Sequence, residues 1–558
     1  KRKSGITLIA LVITIIILLI LSGISISALT NQGLFKNAKL AKEKAEKEQK
    51  KETSLLDQYE SELNKYVENG RWDGKVNKPE LMTGMSAIKF TDPTDSAEGT
   101  TVDTTSNDTE WYNYENKKWA NAKTEDGSMW VWIPRYAYRI HKENGVETQK
   151  FDIVFLVGLT DNYYDENGKL QTAQRQTSEN QTIVTNGDAY TVHPAFTNES
   201  SINYANGGWD KELAGIWVAK FEAGYASGNN KATVKASSVN YSQDTAYVPA
   251  VETGTTTKTA TARNWLDGEY GSTTTAIKYP TFQGLTYSMN YINHNDAYRI
   301  SKVLTESGNI YGLNSSSTDS HLMKNSEWGA VSYLSQSKYG LDGTNIVINS
   351  VYLNNTTKSV YAVTGCASST ADASAVSTTI GALNNRTQSG VYVWTQKNGT
   401  AASSTGTIYG IYDISGGTWE RTAGLVNNGN SNLTTYGSQI MADLNNGGST
   451  KYITVYPHDS SKDNTSISNT DANINTASQA NYVKNTKIYG DGIRETSTAG
   501  TGTTSWYSDY SYFAGLNNPF FKRGGNYGNT SGAGLFSFSR SNGNSHYAGG
   551  FRSVLVSL

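Results

Sequence analysis

An uncharged, apolar run near the start of the chain constrains its folding more than any other feature. Lys1, Arg2 and Lys3 precede it, and its apolar part, Ile6 to Leu29, is 24 residues long and dominated by Ile and Leu. As an α-helix it would measure ~36 Å at 1.5 Å per residue, enough to cross a ~30 Å hydrocarbon core with some tilt. The three cations would then face the cytoplasm. Ser25-Ile26-Ser27 is an imperfect small-x-small site, so a cleaved secretory signal, a plain anchor and a processed leader all stay open. The expectation is a leader and transmembrane helix over residues 1–35, with membrane contact through 6–29 and the rest of the chain extracellular.

Residues 36–70 continue as a charged stalk helix. Lys39/Glu43, Lys42/Glu46, Glu43/Lys47 and Lys44/Glu48 are opposite charges four residues apart, each pair worth about 0.2–0.5 kcal/mol. Leu56, Tyr59, Leu63 and Val67 form an apolar stripe at helical spacing, and Gly70 is a plausible stop. Residues 71–127 read as a connector. Within it, two aromatic segments flank Glu115-Asn116 as a small hairpin, with the Asn suited to a left-handed turn. From 128 to 558 the pattern is β-rich with long loops. Met129–Pro134, Ile153–Leu159 and Gly215–Phe221 read as strands, while Tyr287–Leu304 and Ser326–Leu334 read as helices, the second capped by Ser326.

Composition narrows the chemistry. Basic and acidic residues number 48 and 50, so no global field points to nucleic acid. A single cysteine, Cys366, excludes an internal disulfide or a thiolate cluster. The six histidines have no H-x-x-x-H spacing, and no phosphate loop, G-x-S-x-G or H-E-x-x-H motif occurs. No cofactor is implied. Asp459–Asp471 lacks the ligand spacing of a calcium loop, which leaves a structural calcium held by loop carbonyls as an open alternative.

The segment Lys3-Ser4-Gly5-Ile6-Thr7-Leu8-Ile9 resembles a type IV prepilin leader of the Gram-positive kind. The resemblance implies cleavage between Gly5 and Ile6 and contact with other pilin subunits. It departs at Ala10, where the family carries Glu, and so lacks the carboxylate that meets a neighbouring subunit's terminal amine.

Four further segments occur in the order of the formylglycine-generating enzyme family. Leu213–Glu222 is similar to its early strand, and His321–Ala330 to its "R-L-P-T-E-A-E-W" helix. Ile408–Glu420 resembles "G-L-Y-D-M-x-G-N-V-W-E". Phe521–Gly525 and Gly550–Val554 resemble the closing "R-G-G-S" and "G-F-R". The resemblance covers roughly 210–558 and implies an irregular C-type lectin fold. The whole chain is then expected to be α+β: a long N-terminal hydrophobic and stalk helix followed by a β-rich, loop-rich domain over 128–558. Trp328, Asp413, Gly416, Trp419, Glu420, Arg523, Gly524, Gly525, Phe551 and Arg552 carry its structural motif. Trp328 and Trp419 are expected as core plugs, and Arg523 and Arg552 as braces for the closing loop, through contacts to carbonyls or to carboxylates such as Glu420. The family's copper is held by two cysteines between these last motifs, and residues 526–549 contain none. No catalytic residue and no metal ligand is therefore assigned.

The closing loop, 523–552, has no Lys, Asp, Glu, Pro or Cys. Its Asn, Ser, Gly and Tyr composition is that of recognition loops, where aromatic rings supply rigid contact area and small polar groups adapt. It resembles the variable region of proteins diversified by retroelements that randomise adenines in Asn codons. The expected ligand-binding positions are Asn526, Tyr527, Asn529, Ser537, Ser539, Ser541, Asn542, Asn544, Ser545, His546 and Tyr547. The function expected is that of an adhesin- or receptor-like surface protein. Its partner would be a protein or glycan on another cell, phage or host surface, with no nucleic acid involved. A structural minor pilin and an oxidoreductase of the same fold are the alternatives.

Overall fold

The structure, a computed structural model, describes residues 42, 44–45, 76–91, 98–104, 110–175, 189–198, 208–225, 234–235, 250–251, 279–284, 286–287, 289, 292–348, 365–366, 394–395, 399–445, 450–457, 489–493, 495–496, 505–526, 529, 532–546 and 548–558. Contacts divide the chain into residues 1–73 and 74–558, and the architecture that follows is that of the second unit.

In chain order the main strands are β1 (Met85–Lys89), β2 (Thr100–Thr101), β3 (Asn121–Thr124), β4 (Met129–Pro134), β5 (Tyr136–Glu143), β6 (Val146–Phe155), β7 (Thr191–Val192), β8 (Gly215–Ala219), β9 (Thr318–Leu322), β10 (Trp419–Asn427), β11 (Thr454–Pro457), β12 (Phe520–Arg523), β13 (Phe538–Ser541), β14 (Gly549–Phe551) and β15 (Ser553–Ser557). Seven of them form one sheet, ordered β9-β15-β8-β4-β3-β1-β2. Every neighbouring pair in it is antiparallel. The runs Met129–Pro134 and Gly215–Ala219 are apolar without alternation because both faces of β4 and β8 are covered, and every residue in them is buried. Trp132 and Trp217 lie opposite each other in register, with rings 5.3 Å apart. Their indole N–H groups donate outward, Trp132 to the Asn77 carbonyl at 3.2 Å and Trp217 to that of Glu80 at 2.8 Å. These bonds hold the approach to β1 against the sheet, so the described part of 71–127 belongs to the main sheet. Its aromatic turn is a short 3₁₀ element, Tyr114–Asn116, and Lys117 rather than Asn116 takes the left-handed conformation, at φ 58°.

A second sheet is organised around β10. One edge of β10 pairs antiparallel with β12, which pairs with β13. The other edge pairs in parallel with β14 and then β11. A third sheet, ordered β6-β5-β7, covers the flank.

The described residues of the second unit contain three α-helices: α1 (His294–Lys302), α2 (Asn325–Ser335) and α3 (Ser431–Asn445). The cap of α2 is Lys324, not Ser326. Glu327 decides this, because its buried carboxylate reaches back to the Lys324 N–H at 2.8 Å while its other oxygen lies 2.8 Å from His321 Nε2. Burial works against its charge, yet His321 and Lys324 hold the carboxyl below its ordinary range.

The long N-terminal hydrophobic and stalk helix is corrected. No helix among the described residues is long and apolar enough to cross a membrane. The longest, α3, has 15 residues and is broken at Gly437, which makes it ~22 Å at 1.5 Å per residue, short of a hydrocarbon core. The body is β-rich with short helices, and the transmembrane helix, membrane anchoring and plasma-membrane location expected from the apolar run have no spanning helix to rest on. Gly5, Ile6 and the whole run lie outside the described residues. Of the stalk, Lys42, Lys44 and Ala45 are described, and they are helical and exposed.

A buried polar cluster sits where the second and third sheets approach α2. Glu495 Oε1 accepts from the Gly490 N–H at 2.6 Å and from the Tyr138 hydroxyl at 3.1 Å. Tyr456 donates to Asp491 at 2.5 Å, and Arg523 to the Asp491 carbonyl at 2.8 Å. Burial, reinforced by the Asp491 carboxylate, pushes Glu495 up to about 7. Folded Glu495 thus keeps its proton through a range in which the unfolded carboxyl, near 4.5, has lost it. The native state loses stability as pH rises across that window. Glu495→Gln keeps an acceptor for Gly490 and Tyr138 but removes the titration. Its melting temperature, relative to the parent, should be higher at pH 8 than at pH 5; an unchanged difference would show that Glu495 does not titrate as described.

Candidate functional site

The closing loop is held by a rigid frame. The Arg552 guanidinium meets Glu420 through Nε at 2.9 Å and Nη2 at 2.5 Å. It also donates to the Ala219 carbonyl at 2.6 Å and the Tyr412 carbonyl at 2.7 Å. Gly416 donates to the Gly524 carbonyl at 3.1 Å, and Gly524 to that of Ser537 at 3.1 Å. Gly525 has φ 75°, and a Cβ there would lie 2.5 Å from the Ala533 Cα, so both conformation and space require glycine. Trp328 is fully buried, and its indole donates to the Leu535 carbonyl at 2.8 Å. Asp413, at φ 63°, and Phe551 are buried in the same frame.

Trp419 is buried, at 5% exposure. It stands apart from the apolar clusters of the described residues. Strand alternation explains this. In register, Glu420 faces Arg523 and Arg421 faces Lys522, so Glu420 and Arg523 project to one side of the sheet while Trp419, Arg421 and Lys522 project to the other. The Lys522 ammonium lies 4.7 Å from the Trp419 ring centroid, and the Tyr510 ring lies 6.1 Å away.

Of the loop positions, Ser539, Ser541 and Asn544 border this face. Asn544 and His546 are exposed, and Asn526, Asn529, Ser541, Asn542 and Ser545 are partly so. Asn529 Oδ1 accepts from the Asn526 N–H at 2.8 Å, and Asn542 Oδ1 from the Asn544 N–H at 3.2 Å, so these side chains shape the turns they occupy. Ser537 is fully buried and donates to the Tyr510 carbonyl at 3.1 Å, and Ser539 is buried in β13. Tyr527 and Tyr547 lie outside the described residues. Arg421 anchors the loop from below: its Nη2 donates to the Asn544 carbonyl, and its Nη1 lies 2.7 Å from His294 Nδ1 and 3.4 Å from Ser541 Oγ. Sequence reasoning missed Arg421 and Lys522. The signal was available in the alternation of Trp-Glu-Arg and Phe-Lys-Arg once both are read as strands.

Burial alone pushes the Arg421 guanidinium down to about 9. Burial and then Arg421 push Lys522 down to about 8. Partial desolvation, then Lys522 and Arg421, push the His546 imidazole down to about 4. Histidines elsewhere are dispersed: His193 packs among Tyr136, Tyr138 and Tyr333, and His321 pairs with Glu327. Among the described residues no group of three or more His, Cys, Asp or Glu is placed to hold a metal ion.

The frame makes a stability prediction. Glu420→Ala leaves the Arg552 cation buried without its carboxylate and should cost about 3–5 kcal/mol in urea unfolding. The double variant Glu420→Leu/Arg552→Met, which removes both charges, should lose clearly less. A single-variant loss under about 1 kcal/mol would mean the pair does not hold the loop. Compared with protein-family models and with curated proteins, the sequence matches none.

Proposed function

We propose that the chain is an adhesin- or receptor-like binding protein, built like the formylglycine-generating enzymes but without their copper chemistry, whose 523–552 loop forms the contact surface. One observation carries the reading. Within a single segment the motif residues Gly524, Gly525, Phe551 and Arg552 are buried in the frame, whereas Asn526, Asn529, Asn542, Asn544, Ser545 and His546 reach the surface between them. A segment divided in this way can change its contacts without changing its fold. The absence of cysteine in 526–549 removes the thiolate pair that copper would require. The partner is a protein or glycan, and the exposed positions are those that a diversifying retroelement would rewrite.

Two measurements test this. Sequencing the locus across clonal descendants should find substitutions concentrated at Asn526, Tyr527, Asn529, Asn542, Asn544 and His546, with Gly524, Gly525, Phe551 and Arg552 constant. A reverse-transcriptase gene and a near-copy of the loop-coding segment should lie nearby. Substitutions spread evenly over frame and loop would overturn diversification. In the purified chain, combined Asn544→Ala and Ser545→Ala should cost under about 1 kcal/mol, as surface changes do, while Trp328→Ala costs about 3–5 kcal/mol. Comparable losses would make the loop core instead of contact surface.

A further inference from the structure

One face of β10 and β12 carries two cations side by side, with no carboxylate among the described residues to balance them. Arg421 and Lys522 are direct cross-strand partners, a placement in which like charges repel. Neither pairs with a carboxylate of the described residues, and the charge acting on Lys522 is that of Arg421, which repels it. Arg421 is 3% exposed, and its Nε hydrogen is buried without a hydrogen-bond partner. The rest of that guanidinium is engaged by His294, Ser541 and the Asn544 carbonyl, so the side chain is fixed in place. The Lys522 ammonium makes no hydrogen bond among the described residues and rests on the Trp419 ring. Residues 523–552 supply no Asp or Glu. A buried donor left unpaired and two adjacent cations left unbalanced are both costly, and one ligand group would relieve both.

We propose that this face is an oxyanion-binding site, in which the carboxylate, sulfate or phosphate group of a ligand is held by Arg421 and Lys522 with the remainder of the ligand against Trp419 and Tyr510. This rests on the reading of the loop as a contact surface, and it names the chemistry that surface selects. The anion accepts from the ammonium of Lys522 and from the free Nε–H of Arg421, and its charge offsets the repulsion between them. Ser539, opposite Lys522 in β13, and the turn of Ser541–Asn544 border the same place. The depressed ammonium of Lys522 is in keeping with a site that has no counter-charge until a ligand supplies one.

Calorimetric titration of the full chain with sodium sulfate, sodium phosphate and sodium acetate, each at constant ionic strength set with sodium chloride, tests the proposal. At least one should bind saturably, and the ranking of the three distinguishes a sulfated or phosphorylated source from a carboxylate. Lys522→Gln removes a side chain with no hydrogen bond to lose, so it should keep the parent's melting temperature while raising the dissociation constant at least tenfold. Arg421→Lys, which retains charge but not the Nε–H, should weaken binding by a smaller factor. Absence of saturable binding for all three anions, or unchanged affinity in Lys522→Gln, overturns the oxyanion site. Neither result touches the pattern of loop variation across clonal descendants, so the two readings fail separately.

Discussion

Arg552 stands at the point where the chain leaves the second sheet and enters the first. Residues on one side of it form β14, paired with β10, and those on the other form β15, between β8 and β9. Its guanidinium meets Glu420 of β10, the carbonyl that ends β8, and the carbonyl of Tyr412. One buried cation thereby fixes the relative position of two sheets and of the glycine-rich turn between them. Burying it without a partner would be prohibitive, and the two-pronged contact with a carboxylate is the geometry that offsets the loss of hydration.

Lys220 solves the same problem without a carboxylate. Its buried ammonium donates to Asn121 Oδ1 at 2.8 Å and to the carbonyls of Ile408 at 2.6 Å and Gly410 at 2.9 Å. All three of its hydrogens are used, and the rings of Phe90, Trp394 and Tyr412 surround it. Arg421 and Lys522 contrast with both. They are embedded in a comparable sheet, yet they face the same direction and neither meets a carboxylate of the described residues. Lys220 and Arg552 are each satisfied by their own surroundings, while one side of β10 and β12 places two cations next to each other.

The strands that run apolar end to end were legible in the sequence, because Met129–Pro134 and Gly215–Ala219 are covered on both faces and leave no alternative. The motif residues converged as spaced: Glu420 with Arg552, and Trp328 behind the closing loop. Other features depend on partners distant in sequence. Nothing local to Asn77 or Glu80 announces that their carbonyls receive indole hydrogens, so 71–127 reads as a connector. Lys324 takes the cap position because Glu327 is clamped by His321, a contact formed only in the fold. Trp419 is buried as its type suggests, and the register of β10 against β12 adds that it shares a side of the sheet with Lys522. The long helix was read from an apolar run and from opposite charges spaced four residues apart, and the short, mixed helices of the described body give it no counterpart.

The placement of β15 has a consequence for synthesis. This strand lies between β8 and β9, pairing Trp217 with Leu555 on one edge and Ser320 with Leu555 on the other. While a ribosome is still translating the loop, β8 and β9 have no strand to join them, and the buried edge of Gly215–Ala219 stays open. An open apolar edge is a template for pairing with another chain. Each nascent molecule must therefore hold an incomplete sheet until Ser553–Ser557 emerge, and a message that ends early would release a product prone to aggregation, not a shorter working one.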